Sequence, residues 1–210
     1  MNQGRKTVKK IGFLGLLILG VLPGFVLAQK IGVLPFEDAT GMGAEFGEQV
    51  AKFIRSEFLK DQRFLPKFIQ YKPANEEESS TVDVEKAIEL GKKNGVEYVL
   101  IGTILEAEAT SGSSGIGGIS VAGQSIGSSL RTVKATITIQ GDLISVAQRK
   151  QVGSFRTTGD KTDRSVGADL WTAWGSLNTD SAIDNNAPTA KALREAVEKL
   201  VKEITKKLLK

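Results

Sequence analysis

Between Gly95 and Glu108 the chain reads GVEYVLIGTILEAE, in which Val96, Tyr98, Val99, Leu100, Ile101, Ile104 and Leu105 leave almost no room for a polar face. A continuous apolar run of β-branched, aromatic and aliphatic residues between turn residues predicts a strand covered on both sides, in the middle of a sheet. Asn94-Gly95 just ahead supplies a left-handed stop for a preceding helix, because Gly takes positive φ without steric cost. The remaining elements are placed around this strand.

Upstream, KIGVLPF at 30–36 predicts a first strand closed by Pro35 and the polar pair Glu37-Asp38. Met42, Phe46, Val50, Phe53, Ile54 and Phe58 recur three and four residues apart, the spacing of one helix face, so a helix is expected to pack on the sheet. RFLPKFIQY at 63–71 predicts a strand that Pro66 confines to an edge or a bend. Ser80 and Asp83 have the spacing of a capping box for a short helix that turns Val84, Ala87, Ile88 and Gly91 inward.

Downstream, Val133, Ala135, Ile137 and Ile139 alternate with Lys134, Thr136, Thr138 and Gln140, which predicts a strand with one wet face. At Gly141-Asp142 the pattern changes, with Leu143, Ile144 and Val146 crowding both faces, and a bulge is expected there. Ala147 to Lys150 turns the chain, and 151–158 returns antiparallel with Val152 and Phe155. Pro188 and Thr189 open a last helix with Leu193, Ala196, Val197, Leu200, Val201, Ile204 and Leu208 as its buried stripe. Glu195 with Lys199, Glu198 with Lys202 and Glu203 with Lys207 are expected as exposed pairs, and Lys206, Lys207 and Lys210 suit the negative end of the helix dipole.

Two tracts break this order. Residues 109–130, ATSGSSGIGGISVAGQSIGSSL, contain no charge, with Gly and Ser making up most of the tract. They read either as a flexible surface loop, since Gly and Ser lose the most entropy on ordering, or as a hairpin of two membrane strands in which Ile119 and Val121 alternate toward lipid. Residues 160–187 hold both tryptophans. Val166, Leu170, Trp174 and Leu177 fall at helical spacing beside Trp171, so a short amphipathic helix is expected, whose Trp side chains meet a bilayer interface, a neighbouring subunit or the end of the domain's own core.

The first 28 residues carry the pattern of a secretory signal: Arg5, Lys6, Lys9 and Lys10, an apolar stretch from Ile11 to Val26, and Val26-Leu27-Ala28 ahead of Gln29. A retained anchor is the competing reading, against which Gly20, Pro23 and Gly24 interrupt the apolar stretch. The segment holds four of the 28 basic residues and none of the 24 acidic ones, so the rest balances at 24 against 24. The basic overall charge therefore argues for no nucleic-acid partner. With neither Cys nor His in the chain, thiol nucleophiles, disulfides, imidazole bases, the usual zinc sets and a lipidated cysteine are all excluded. No catalytic, cofactor-binding or metal-binding residue is expected.

Three local motifs invite chemistry and do not sustain it. Thr40-Gly41-Met42-Gly43 lies between a strand and a helix, yet the third glycine of a dinucleotide fingerprint would fall at Phe46, so a tight turn is the reading. The carboxylates of Glu76-Glu77-Glu78 are adjacent on a polar loop and do not converge on a cation. Asp180 and Asp184 beside Asn178 are the nearest approach to a hydrolytic carboxylate pair, with no orienting shell legible around them.

The fold class is α/β: a single mixed-sheet sandwich domain over 29–210 in β-α-β-α-β-β-β-α order, with insertions at 109–130 and 160–187, preceded by a cleaved signal peptide at 1–28. IGVLPFED at 31–38, GVEYVLIGTI at 95–104, the Gly/Ser tract, VKATITIQGDLISVAQRKQVGSF at 133–155 and TAKALREAVEKLV at 189–201, in that order, resemble the curli production assembly and transport (CsgG) family. The opening strand and layout are also similar to those of the TolB amino-terminal domain and of lipoprotein activators of cell-wall synthases. The CsgG resemblance implies a periplasmic domain whose subunits form a ring and lend two hairpins each to a shared outer-membrane barrel.

On that reading Ile116, Ile119, Val121 and Ile126 are membrane-hairpin or loop residues, and Trp171 and Trp174 lie at an interface. The function implied is a non-enzymatic, exported, homo-oligomeric envelope protein that contacts the outer membrane and other envelope or secreted proteins and contributes to a secretion channel. The alternative is a soluble periplasmic adaptor or regulatory binding domain, with the Gly/Ser tract as a loop.

Overall fold

Ile31 and Val33 face one side of a sheet and Leu34 the other, and this split organises the molecule. The structure is a computed structural model that describes residues 28–71, 82–114, 120–121, 124–125, 130–166 and 187–210. Strand β1 (Gln29–Val33) runs parallel to β3 (Phe64–Phe68) on one side and to β4 (Tyr98–Ser114) on the other. Beyond β4 the sheet turns antiparallel through β7 (Leu130–Ser145) and β8 (Lys150–Val166), giving the order β3-β1-β4-β7-β8. A short strand β2 (Glu37–Asp38) resumes beside β4 where β1 has ended, and β5 (Ser120–Val121) pairs with β6 (Gln124–Ser125). The apolar run at 95–108 is thus the central strand, as its composition predicts.

Helices α1 (Ala44–Phe58) and α3 (Pro188–Leu208) cover one face of the sheet. Phe46, Val50, Ile54 and Phe58 from α1 and Leu193, Ala196, Leu200 and Ile204 from α3 meet Leu100, Ile104, Ile137, Ile139 and Leu143 in a single core. Phe58 and Phe64 meet edge to face at 5.4 Å. Each fully buried aliphatic side chain contributes about 1.5–3 kcal/mol before ordering entropy is subtracted. Helix α2 (Val84–Asn94) closes the second face over Leu34, Ile69, Val99 and Ile144. The sheet therefore lies between helices in a mixed α/β fold.

Local chemistry fixes the element ends. The Asp38 carboxylate accepts hydrogen bonds from the Thr40 N–H at 2.9 Å and the Gly43 N–H at 2.6 Å, and Gly41 and Gly43 supply the positive φ this turn requires. Gly95 ends α2 in the left-handed conformation. Of the capping box expected from Ser80 and Asp83, Ser80 lies outside the described residues, and Asp83 is itself the N-cap and accepts from the Lys86 N–H at 2.7 Å. Of the three pairs expected along α3, Glu195 with Lys199 forms, at 2.8 Å.

Two expectations for the strands are corrected. The inward alternation of β7 does not break at Gly141-Asp142, because Gly141 and Leu143 still face α3. Ile144 is apolar because α2 now covers the other face, and the register shift lies further along, where Leu143 pairs with Gly153 and Ile144 with Gln151. Val166 is not helical; it ends β8, so 160–166, expected as irregular, is strand. Similarly β4 runs to Ser114 and β7 starts at Leu130, so both ends of the 109–130 tract are strand. Residues 167–186, where the amphipathic helix is expected, lie outside the described residues.

Candidate functional site

Beyond Ile104 and Ile139, strands β4, β7 and β8 continue together as a three-stranded arm, pairing as far as Ser114 with Leu130 and Leu130 with Val166. A bulge between Ile104 and Glu106 sets the chemistry of its two faces. Strict alternation after Leu100 and Ile104 would send Glu106 into the core. The extra residue at 105 puts Ala107 against the core in its place and turns Glu106 to the opposite face. There the Thr138 hydroxyl donates to Glu106 Oε2 at 2.8 Å and lies 3.0 Å from the Thr158 hydroxyl, while the Thr136 hydroxyl donates to Asp160 Oδ1 at 2.9 Å. With exposed Glu108, Lys134 and Thr162, these make a polar face laced by cross-strand hydrogen bonds.

The other face of β8 is fastened to α3. The Thr157 hydroxyl donates to the Ala196 carbonyl at 2.9 Å, and two residues on Gly159 lets the helix backbone approach. Lys161 meets Glu195 at 2.6 Å, and Lys191 meets Asp163 at 2.6 Å. Lys199 reaches both Glu195 and the Thr158 carbonyl, the latter at 2.7 Å. The Lys161 and Lys199 ammonium groups hold the Glu195 carboxyl below its ordinary range, and Glu195 in turn raises Lys161. Glu195 Oε2 faces Lys161 as a contact of charges more than as an aligned hydrogen bond.

Among the described residues, strand β8 is the edge of the sheet. A long edge presents unpaired backbone groups to any other chain, and charged side chains such as Lys199 and Lys161 are a usual guard against unwanted pairing. The arm therefore offers a polar, hydrogen-bonded face and a partly guarded edge, which suit contact with protein. Among the described residues no cluster of acidic side chains is placed to hold a metal ion, and no helix is long and apolar enough to cross a membrane.

Of the residues singled out in the sequence, Val121 stands in β5 opposite Gln124. Ile116, Ile119, Ile126, Trp171, Trp174, Asp180 and Asp184 lie outside the described residues. The sequence reading missed the bulge at Leu105 and the fastening of β8 to α3. The alternation of Thr157, Gly159, Lys161 and Asp163 with Thr158, Asp160 and Thr162 was the available signal, obscured because it contains no large apolar residue.

The family model for the curli production assembly/transport component CsgG matches residues 74–210. No curated protein matches the chain. Among solved structures, the hypothetical protein CT253 from Chlamydia trachomatis aligns with a TM-score of 0.52 at 12% identity, over 84% of this chain and 95% of that one. A PelC dodecamer from Paraburkholderia phytofirmans aligns at 0.45 and 15% identity, over 85% and 91%. The LpoB C-terminal domain from Salmonella enterica aligns at 0.36 and 11%, over 65% and 85%. The first of these matches carries the likeness of fold.

Proposed function

The chain belongs to the CsgG family of curli production assembly/transport components, and from that membership we propose an exported, non-enzymatic assembly protein of the cell envelope. It works as a homo-oligomer and contributes through its 109–130 excursion to an outer-membrane secretion channel. The observation that supports this reading is the arm: β4, β7 and β8, of 17, 16 and 17 residues, are longer than a helix-covered core requires, and the first two lead into and out of the uncharged Gly/Ser tract. Strands in globular domains are usually about 3–10 residues long.

Charge sets where lipid contact begins. Glu108, Lys134 and Asp160 are exposed on the arm, and a charged side chain facing lipid is costly, so this part of the arm lies in water or against protein. Arg131 is paired with Ser113, so contact with hydrocarbon falls to the uncharged residues between Ser113 and Arg131. Detergent extracts of cells expressing the full chain test the proposal: heat-labile rings with single-channel conductance are expected, and a strictly monomeric species in both buffer and detergent would overturn it.

The polar face of the arm supports a second reading, a soluble periplasmic adaptor that binds another envelope protein. It expects recovery of a single partner on pull-down from the soluble envelope fraction, lost when Glu106, Glu108 and Lys134 are replaced together.

A further inference from the structure

At the end of the sheet remote from the arm, a cleft of about 400 Å³ opens between the start of β4, the β7–β8 turn and the last turn of α3. Its lining is mostly polar, with Tyr98, Val152 and Leu208 giving it a smaller apolar strip, and Lys150 and Lys207 stand on it from opposite elements, both exposed. No carboxylate side chain lines it. Among the described residues neither lysine is in an ion pair, although Glu203 sits four residues before Lys207, and the Tyr98 hydroxyl has no hydrogen-bond partner. The Gln151 side-chain amide is taken by Asp142 Oδ1 at 2.9 Å. What remains to donate is two ammonium groups, a phenol and the Gln148 amide.

This donor set favours an anion, and the opposing charge decides which kind. The carbonyl end of α3 carries roughly half a negative charge, set against two full positive charges on the lysines. A single negative charge is therefore attracted. A phosphate dianion would want bidentate guanidinium groups or a nest of backbone N–H groups, and among the described residues no arginine lines this cleft. The apolar strip of Tyr98, Val152 and Leu208 gives a short hydrocarbon stem a place to rest.

We propose that this cleft binds a carboxylate on a short apolar stem, supplied either by a small organic acid or by the end of a peptide. Lys150 and Lys207 pair with the two carboxylate oxygens, the Tyr98 hydroxyl donates to one of them, and the stem rests on Val152 and Leu208. The cleft stands apart from the arm and its tract, so it binds whether or not the chain forms a channel.

The test is an NMR titration of the full chain with three probes: butyrate, an N-acetylated apolar tripeptide with a free carboxyl terminus, and the same tripeptide amidated. Saturable shifts of the Tyr98, Val152 and Leu208 resonances are expected with a carboxylate probe and not with the amide. Lys150→Gln and Lys207→Gln should each weaken that binding about threefold to tenfold, both being surface changes that leave the circular dichroism unchanged. Saturation by butyrate as tight as by the tripeptide identifies a small acid as the source; saturation by the tripeptide alone identifies a peptide end. Equal binding of acid and amide, indifference to both lysine substitutions, or no saturation by either carboxylate overturns the proposal.

Discussion

Gly159 lies so close to Ala192 that a Cβ built on it would stand 1.9 Å from the Ala192 carbonyl oxygen and 2.7 Å from the Ala196 backbone nitrogen. Strand β8 and helix α3 meet there backbone to backbone, with no side chain between them to give way. Gly159→Ala should therefore push the helix off the strand and destabilise the domain by about 1–3 kcal/mol, the range of an overpacked core. The denaturant midpoint should fall at constant slope; an unchanged midpoint would show that the contact is looser than described.

The same helix closes one face of the sheet, with Leu193, Val197, Leu200 and Ile204 in the shared core. A chain truncated before Thr189 should fail to fold, and the expected outcome is insoluble protein or loss of cooperative unfolding. Soluble, folded protein after that truncation would refute the role given to α3.

Asp38 holds the turn between β2 and α1. Partial burial works against its charged form, but the Thr40 hydroxyl together with the N–H groups of Thr40, Gly43 and Met42 outweighs it and keeps the carboxyl below its ordinary value. A carboxyl depressed in the folded state binds more protons when unfolded, so its contribution is complete above the unfolded value and disappears as pH falls through the lower folded one. Asp38→Ala should cost about 1 kcal/mol at neutral pH, after allowance for solvent screening. The gap between wild type and variant should narrow below roughly pH 4, measured by denaturation across that range.

Glu195 joins Lys161 of the edge strand to Lys199 of its own helix. All three groups are partly exposed, so solvent discounts the pairing, and Glu195→Gln should cost at most about 1 kcal/mol. Because the Glu195 carboxyl too is depressed, the wild-type advantage is present at neutral pH and fades in acid. Added salt should shrink it as well. A cost that is the same at low and high salt would assign the effect to packing.

Much of the layered core was legible because its signals are dense. Tyr98 to Leu105 leaves no polar face, the α1 and α3 stripes repeat at helical spacing, and Asn94-Gly95 marks a helix end that the structure shows in the left-handed conformation. The arm was less legible for a physical reason. Its strands are held by pairing with one another, so Thr, Ser, Gly and charged residues suffice there, and strand propensity depends on neighbours that local sequence does not reveal. The displaced bulge has a similar origin: Ile144 and Leu143 look like a slipped register until α2 is seen to cover the second face. The place of Glu106 was not legible in the central strand, because only the pairing with β7 shows that the bulge beside it turns the carboxylate toward Thr138.

We propose the 109–130 excursion as the part that brings this chain to the outer membrane. Ser114 and Leu130 are direct partners across β4 and β7, so residues 115–129 can be replaced by a two-residue Asn-Gly turn without altering the register. Alkaline carbonate extraction of the envelope, applied to the full chain and to this shortened one, is the most direct measurement. The full chain should stay in the outer-membrane pellet, and the shortened chain should fold and leave it. A full chain found wholly in the soluble fraction would contradict the account.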